Sequence, residues 1–269
     1  MRIPFVKMHG LGNDFVVLDG RDEPLPALTP TLVKRLADRR QGVGCDQLIV
    51  LEPSQIADIC MRIFNADGGQ AAACGNAARA VALLLGTSAQ IETGGGVITV
   101  RPYEGGANVD MGSPRFEWDA VPLAYPLDTL SIPIAWDELA NPVAVNVGNP
   151  HVVFFVDDAD CVPLAELGPR IEADLLFPDR INVNIATVES RERLRLRVWE
   201  RGAGLTRACG TGACASAVAA MRRGLVERAV TVALPGGELT IEWQGDGRMI
   251  MTGAAMESFR GSFTWSDYA

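Results

Sequence analysis

The segment Ala73-Cys74-Gly75-Asn76-Ala77-Ala78-Arg79-Ala80 is echoed later in the chain by Ala208-Cys209-Gly210-Thr211-Gly212-Ala213-Cys214-Ala215. The leading cysteines, Cys74 and Cys209, are separated by 135 positions, half of the 269 residues. Each cysteine opens a run of small, helix-compatible residues, so each thiol is predicted at a helix N-terminus. The positive end of a helix dipole stabilises thiolate, which predicts a lowered thiol pKa. Two such thiols predict a symmetric site with one acid/base group from each half.

The repeat extends beyond the two cysteine segments. Gly12-Asn13-Asp14-Phe15 is matched by Gly148-Asn149-Pro150-His151, and Gly95-Gly96-Val97-Ile98 is matched by Gly236-Gly237-Glu238-Leu239. Three matches in the same order indicate an internal duplication, against the alternative that Gly- and Ala-rich patches merely look alike. We expect one domain at 1–114, with the tail 259–269 packed on it, and a second domain at 115–258.

Hydrophobic periodicity gives the elements of each half. It predicts a short helix at Thr31–Arg39 stopped by Gly42, and two buried helices at Cys74–Leu85 and Cys209–Arg223. Alternating strands are predicted around them. The predicted fold class is α+β, with two pseudo-symmetric domains that arose from an internal duplication. Each domain is a mainly antiparallel sheet wrapped around a central helix, and the active site lies in the cleft between the domains.

Composition excludes several classes of function. The net charge of −9 and the pI near 4.8 argue against nucleic acid or an anionic membrane as a partner. No apolar run reaches membrane-spanning length, and the N-terminal residues lack the long apolar core of a signal peptide, so we expect a cytoplasmic protein. With two histidines and no Cys-x-x-Cys pair, no metal site is expected. The only lysines, Lys7 and Lys34, lie outside any evident cofactor motif, and no cofactor is expected.

The two cysteine segments suggest a reaction. A helix N-terminus binds a carboxylate readily, and two that face one another would hold one carboxylate between two thiols. One thiolate could then remove the proton from the neighbouring carbon while the other thiol returns a proton, which inverts the configuration. Asn65 and Glu200 occupy equivalent positions, each nine before its cysteine. Of the other cysteines, Cys45 is ambiguous, and three are interpreted as inert buried thiols: Cys60, Cys161 and Cys214.

Five segments carry a resemblance to a known family. They are Met8-His9-Gly10-Leu11-Gly12-Asn13-Asp14-Phe15, Phe64-Asn65-Ala66-Asp67-Gly68, Cys74-Gly75-Asn76, Gly148-Asn149-Pro150-His151, and the stretch from Glu200-Arg201-Gly202 through Ala208-Cys209-Gly210-Thr211-Gly212. In this order, over nearly the whole chain, they resemble the diaminopimelate epimerases. The resemblance implies a pyridoxal-independent isomerase that interconverts LL- and meso-2,6-diaminopimelate on the route to lysine and peptidoglycan. It also implies a homodimer.

The resemblance implies a role for each matching residue. Cys74 and Cys209 would be the catalytic acid/base pair, and His151 and Glu200 would tune the pKa of the cysteines. The substrate would be bound by Asn13, Gln47, Asn65, Gly75, Asn76, Asn149, Asn182, Glu200, Arg201, Gly210 and Thr211. Asn184 shares a strand face with Asn182, and the family motif selects Asn182.

Two alternatives stay open from the sequence. The first is a racemase or epimerase of another amino acid such as proline or hydroxyproline. Asn76 and the Glu200-Arg201 pair, which is able to grip a distal charged group, argue against it. The second is a redox-sensing thiol protein whose two cysteines oxidise to a disulfide, which does not explain the polar residues around the site.

Overall fold

The computed structural model describes all 269 residues, which fold as two compact units. Unit 1 comprises Met1–Val109 and Gly253–Ala269, and unit 2 comprises Asp110–Thr252. Both units contain helices and a sheet, which confirms the predicted α+β class. The domain boundaries expected at 114 and 258 stay a prediction.

Unit 1 builds its sheet from pairs of neighbouring strands. Its elements in chain order are β1 (Arg2–Gly10), β2 (Asn13–Asp19), α1 (Pro30–Ala37), β3 (Gln47–Glu52), β4 (Ile59–Asn65), β5 (Gln70–Ala71), α2 (Gly75–Leu85), β6 (Ala89–Thr93), β7 (Gly96–Tyr103) and β8 (Gly106–Asp110). Strand β2 runs antiparallel to β1 and parallel to β3. Strand β4 is antiparallel to β3 and β5 and parallel to β6, which in turn is antiparallel to β7.

Unit 2 begins with a small antiparallel ribbon and then repeats the element order of unit 1. Its elements are β9 (Ala135–Trp136), β10 (Leu139–Ala140), β11 (Val143–Asn146), β12 (Pro150–Phe155), α3 (Leu164–Glu172), β13 (Asn182–Ser190), β14 (Arg193–Glu200), β15 (Gly204–Thr206), α4 (Gly210–Arg222), β16 (Ala229–Leu234), β17 (Gly237–Trp243) and β18 (Met249–Ala254). The pairings from β11 to β17 match those from β1 to β7 in order and in direction. This repeated pattern of parallel and antiparallel pairs supports the duplication.

The C-terminal segment belongs to unit 1. Strand β19 (Met256–Thr264) pairs antiparallel with β1 along almost its whole length. Phe263 lies in the core of unit 1, and Trp265 and Tyr268 pack against that core. The two ends of the chain therefore share one sheet.

Helices α2 and α4 are the buried helices of their units, and both are rich in alanine. Residues Ala77–Ala82 of α2 and Ala213–Ala220 of α4 are fully buried. Small side chains let the surrounding strands approach the helix backbone closely, which explains why alanine dominates. Gly86 ends α2 in the left-handed conformation at φ 69°, which glycine adopts without a steric penalty.

Two predicted details of the helices are wrong. Helix α3 is not predicted by the sequence, because Pro169 in its middle interrupts the helical signal and its first turn lacks a side-chain cap. It holds the position in unit 2 that α1 holds in unit 1, so unit 2 has two helices, where the sequence predicts only one. Helix α1 ends at Ala37 and not at the predicted Arg39, because Asp38 is already extended (ψ 125°).

Candidate active site

Cys74 and Cys209 are the N-cap residues of α2 and α4. Each has an extended backbone, and each sulfur accepts a hydrogen bond from the backbone N–H three residues further on. The distances are 3.4 Å from Ala77 N to Cys74 Sγ and 3.3 Å from Gly212 N to Cys209 Sγ. Cys74 is half-buried, whereas Cys209 is 3% exposed. The prediction that each thiol lies at a helix N-terminus is confirmed.

In unit 1, the amide of Asn13 lies beside the Cys74 thiol. Asn13 Oδ1 lies 3.8 Å from Cys74 Sγ and accepts a hydrogen bond from Asn76 Nδ2 at 3.1 Å. Asn76 Oδ1 in turn accepts from the fully buried Arg79 at 2.8 Å. Arg79 therefore sets which end of the Asn76 amide faces Asn13.

Gln47 and Asn65 lie opposite each other on the antiparallel strands β3 and β4. Gln47 Nε2 donates to Asn65 Oδ1 at 3.0 Å, and Gln47 Oε1 is buried without a hydrogen-bond partner. A buried carbonyl oxygen without a partner is costly, so Gln47 Oε1 is suited to accept a hydrogen bond from a donor group of a bound molecule.

The support for Asn13 comes from a charged network on the same unit. Asn13 Nδ2 donates to Asp46 at 3.0 Å, and Asp46 also accepts from Arg39 at 2.8 Å. Arg39 and Lys7 both donate to Asp14, the residue after Asn13. Although burial raises the pKa of Asp14, the hydrogen bonds from Arg39 and Lys7 hold it well below its usual value.

In unit 2, Asn182 and Arg201 are joined through the backbone. Asn182 Nδ2 donates to Pro150 O at 2.8 Å, and Asn182 Oδ1 accepts from the Arg201 backbone N–H at 2.9 Å. The Arg201 side chain is exposed and donates to Asp179 O at 2.8 Å. Its guanidinium thus stays on the surface of the unit, where it can receive a carboxylate.

His151 is fully buried between two asparagines. Its Nε2 lies 2.9 Å from Asn149 Oδ1, and its Nδ1 lies 3.0 Å from Asn184 Nδ2. Burial lowers the pKa of His151 to about 3, with a smaller contribution from the charge of Arg201. His151 is therefore neutral at physiological pH, and both of its ring nitrogens are engaged.

Glu200 lies beside the Cys209 thiol, and its carboxylate adds to the effect of burial on the pKa of that thiol. Burial raises the pKa of Cys209 well above its usual value, and the negative charge of Glu200 raises it further. Hydrogen bonds from Thr211 and Gly212 lower the pKa, but burial prevails. The lowered thiol pKa predicted from the helix N-terminus is therefore wrong for Cys209, because the helix-end hydrogen bonds are outweighed by desolvation.

Glu200 itself is held by two donors. It accepts hydrogen bonds from the Thr206 hydroxyl at 2.5 Å and from the Cys209 thiol. Burial raises the pKa of Glu200, against these hydrogen bonds, which lower it. Thr211 Oγ1 lies 3.5 Å from Cys209 Sγ, so the sulfur is enclosed by polar groups on several sides.

The remaining predicted residues lie at the helix starts. Gly75 and Asn76 are the first two residues of α2, and Gly210 and Thr211 are the first two of α4. The first backbone N–H groups of a helix have no partner within the helix, so these positions are suited to bind a carboxylate.

Two residues of this region have no role in the sequence prediction. Arg79 orients Asn76, and Asn184 contacts His151. A buried arginine in an alanine-rich helix and an asparagine alternating with Asn182 were the available signals. Neither signal predicts the contacting residue, because Asn76 lies on the preceding turn of α2 and His151 lies on the neighbouring strand β12.

No group of three or more His, Cys, Asp or Glu side chains in the structure is placed to hold a metal ion. None of the helices combines the length and the apolar character that a membrane crossing requires.

The chain is similar to known proteins over its whole length. The family model for diaminopimelate epimerase matches residues 5–117 and 143–257. The diaminopimelate epimerase of Erythrobacter litoralis (strain HTCC2594) is 66% identical over 269 residues and is covered completely, as is this chain. The diaminopimelate epimerase of Sphingopyxis alaskensis is 60% identical over 264 residues, 98% of each chain.

Solved structures share the fold at low sequence identity. A phenazine biosynthesis protein of the PhzF family from Enterococcus faecalis has a TM-score of 0.71 and 16% identity, over 98% of this chain and 100% of that chain. A hydroxyproline epimerase from Agrobacterium vitis has a TM-score of 0.69 and 16% identity, over 97% of this chain and 91% of that chain. The solved structures show the fold alone, whereas the family model and the highly identical relatives establish that this chain belongs to the diaminopimelate epimerase family.

Proposed function

We propose that this chain epimerises LL-2,6-diaminopimelate to meso-2,6-diaminopimelate without a cofactor, with Cys74 and Cys209 as the acid/base pair. The chain is an isomerase of the diaminopimelate epimerase family. The observation that carries the assignment of the two bases is their equivalence. Each is the N-cap of the buried helix of its unit, and each sulfur is bonded to a backbone N–H.

The reaction needs one proton removed and one returned on opposite faces of the α-carbon. A thiolate takes the α-proton, so that the C–H bond breaks and its electron pair is delocalised into the carboxylate. A thiol on the other face then gives its proton to the carbon, and a new C–H bond forms with inverted configuration. The N-terminal N–H groups of α2 and α4 stabilise the charge that develops on the carboxylate.

The surroundings of Cys209 suggest which cysteine starts as the acid. Because burial and Glu200 disfavour its thiolate, Cys209 is the thiol that donates. Cys74, which is half-buried, is then the thiolate that removes the proton. The roles exchange for the opposite direction of the reaction.

The polar residues predicted for the site suit the substrate. Diaminopimelate carries two ammonium and two carboxylate groups, which require carbonyl and carboxylate acceptors together with N–H donors. The acceptors and donors are Asn13, Gln47, Asn65, Asn149, Asn182, Glu200 and Arg201, with Gly75, Asn76, Gly210 and Thr211 at the reacting carboxylate. Glu200 tunes Cys209 through its charge. The expected tuning of a cysteine by His151 stays a prediction, since both ring nitrogens are bonded to asparagines.

A proline or hydroxyproline racemase is not favoured. Relatives 50–66% identical to this chain are diaminopimelate epimerases, whereas the hydroxyproline epimerase is 16% identical and supports only the fold. The redox-sensing alternative gives no role to the amide of Asn13 beside Cys74 or to the paired amides of Gln47 and Asn65.

We further propose that the enzyme acts in the cytoplasm as a homodimer, in the synthesis of lysine and peptidoglycan precursors. Family membership supports this context. Light scattering on the purified chain tests the dimer: a mass of twice 28.8 kDa is expected. A single-chain mass at working concentrations would contradict it.

The substrate is tested by presenting the unmutated enzyme with LL-diaminopimelate, L-proline and trans-4-hydroxy-L-proline in separate samples in D₂O. NMR follows loss of the α-hydrogen signal and appearance of the epimer. Exchange with diaminopimelate alone is expected. Exchange with either proline and none with diaminopimelate would overturn the substrate assignment.

A further inference from the structure

We infer that Asn184 is a positioning residue that fixes the tautomer of His151 and thereby makes the side chain of Asn149 a hydrogen-bond donor toward a substrate carboxylate. This inference rests on the proposed function for the identity of the substrate. It follows from a chain of hydrogen bonds in unit 2 whose direction is set at one end by a backbone carbonyl.

This chain of hydrogen bonds begins at the backbone carbonyl of Val152. The backbone oxygen of Val152 can only accept, and it lies 3.0 Å from Asn184 Nδ2. The nitrogen end of the Asn184 amide must therefore be the end that faces Val152. An amide oxygen there would place two acceptors against each other in a fully buried position.

The next bond fixes the imidazole. The same Asn184 Nδ2 lies 3.0 Å from His151 Nδ1, and it can only donate. Nδ1 must accept and cannot carry a proton. A neutral imidazole then carries its proton on Nε2, and burial of His151 excludes the doubly protonated form.

The last bond fixes Asn149. His151 Nε2–H donates to Asn149 Oδ1 at 2.9 Å, so the carbonyl end of Asn149 faces the ring. The Asn149 NH₂ group is left as a donor on the outer side of the amide. A carboxylate only accepts hydrogen bonds, so this is the orientation that a carboxylate of diaminopimelate requires.

Asn184 is held in place by packing as well as by hydrogen bonds. Its Oδ1 is buried without a hydrogen-bond partner and lies against Gly212, where a Cβ would come within 2.8 Å of that oxygen. Gly212 is the residue whose N–H bonds the sulfur of Cys209. Asn184 thus contacts both the imidazole and the first turn of α4. Its Nδ2 donates to two acceptors, His151 Nδ1 and Val152 O, and this keeps the amide from turning its oxygen toward them.

The first experiment reads the tautomer directly. The protein has two histidines, so ¹⁵N-histidine labelling gives two ring systems, which a His9→Gln variant assigns. Long-range ¹H–¹⁵N correlation of the unmutated protein between pH 5 and 8 is expected to show His151 protonated on Nε2, unprotonated on Nδ1, and unchanged across the range. A proton on Nδ1, or titration in this range, would overturn the inference. This readout needs no activity, so it is separate from the test of the substrate.

The second experiment removes the donor. Asn184→Leu keeps the branched shape and deletes both N–H groups. We expect Nδ1 of His151 to gain a proton in part of the molecules, and KM for diaminopimelate to rise about tenfold or more with a smaller change in kcat. Thr187→Val is the control, since Thr187 is also buried on β13 and accepts a hydrogen bond from Ala159 N. In this variant the tautomer of His151 and the KM for diaminopimelate are expected to stay unchanged.

The pair of variants separates positioning from general destabilisation. If Asn184→Leu retains both the Nε2–H tautomer and the original KM, the inference is wrong. If Asn184→Leu does not fold, Asn149→Asp tests the other end of this chain of hydrogen bonds. It still accepts from His151 but replaces the outward NH₂ by a carboxylate oxygen. An unchanged KM for Asn149→Asp would contradict the assigned donor.

Discussion

Cys74 and Cys209 hold the same local position in the two units. Each sulfur caps its helix by accepting a hydrogen bond from the backbone N–H three residues further along the chain. The distance is 3.4 Å from Ala77 N to Cys74 Sγ and 3.3 Å from Gly212 N to Cys209 Sγ. Their surroundings nevertheless differ, because Cys209 is buried beside a carboxylate while Cys74 is half-buried beside amides. The two units thus share the geometry of the thiol at the helix start and differ in what surrounds it.

Replacing Glu200 tests the control of Cys209. In Glu200→Gln the side chain still accepts from the thiol, but its negative charge is gone. Since a negative neighbour disfavours the thiolate, we expect the pKa of Cys209 to fall. Alkylation of Cys209, followed by peptide mass spectrometry over a range of pH, is expected to begin at lower pH than in the unmutated protein. The exposed Glu192→Gln is the control, and an equal profile in all three proteins would contradict the role of Glu200.

A charge beside the other thiol is expected to slow the reaction. In Asn13→Asp a carboxylate replaces the amide oxygen that lies 3.8 Å from Cys74 Sγ. The negative charge disfavours thiolate at Cys74 and repels the substrate carboxylate, so kcat/KM is expected to fall about tenfold or more. Steady-state kinetics measure this, with Asn141→Asp in the other unit as the control. An unchanged kcat/KM in Asn13→Asp would contradict a role of Asn13 beside the reacting thiol.

The sequence predicts the cysteine helices well because their signals are local. In each helix a capping residue, a run of alanines and a terminal glycine lie close together in the sequence, and both helices form where expected. Helix α3 escapes prediction because Pro169 contradicts the local pattern and only packing against its own unit decides the outcome.

The electrostatics of the site are less accessible from sequence. A helix N-terminus predicts an acidic thiol, but the degree of burial that reverses this for Cys209 depends on strands distant in the chain. Asn184 illustrates the same limit, since its alternation with Asn182 gives its strand face and says nothing of the imidazole it contacts.

Gly212 is expected to tolerate no side chain. A Cβ there would lie 2.8 Å from Asn184 Oδ1 and 3.2 Å from Cys209 Sγ. Although alanine favours a helix over glycine by roughly 1 kcal/mol, overpacking a buried site costs about 1–3 kcal/mol, so Gly212→Ala is expected to destabilise the protein. Urea unfolding measures the change. Gly245→Ala, where a Cβ meets nothing within 4 Å, is the matched control, and equal stability of the two variants would contradict the packing argument.

Asp14 is expected to link stability to acid pH. Its pKa is lowered in the folded protein by Arg39 and Lys7, against burial, from the ordinary value of 3.8. A carboxyl with a lowered folded pKa contributes stability above its unfolded pKa and loses that contribution as the pH falls toward the folded value. The unmutated protein should therefore lose stability as the pH falls below about 4.

The variant Asp14→Asn isolates this contribution. At pH 7 it is expected to be less stable by about 1–3 kcal/mol, because two cations lose their partner in a partly buried position. Its stability should fall less steeply than that of the unmutated protein below pH 4, as followed by urea unfolding at several pH values. The exposed Asp22→Asn serves as control. If the free energy of unfolding of Asp14→Asn falls below pH 4 as steeply as that of the unmutated protein, Asp14 is not the cause of the acid sensitivity.

The proposed epimerisation requires both Cys74 and Cys209. Its most direct test is NMR of LL-diaminopimelate in D₂O with Cys74→Ala, Cys209→Ala and, as control, the exposed Cys161→Ala. Loss of the α-hydrogen signal coupled to formation of the meso isomer is expected in the unmutated protein and in Cys161→Ala. Each of the first two variants should lose epimerisation by about 10²–10⁴-fold. Epimerisation at the full rate by a folded Cys74→Ala or Cys209→Ala protein would contradict the two-thiol mechanism.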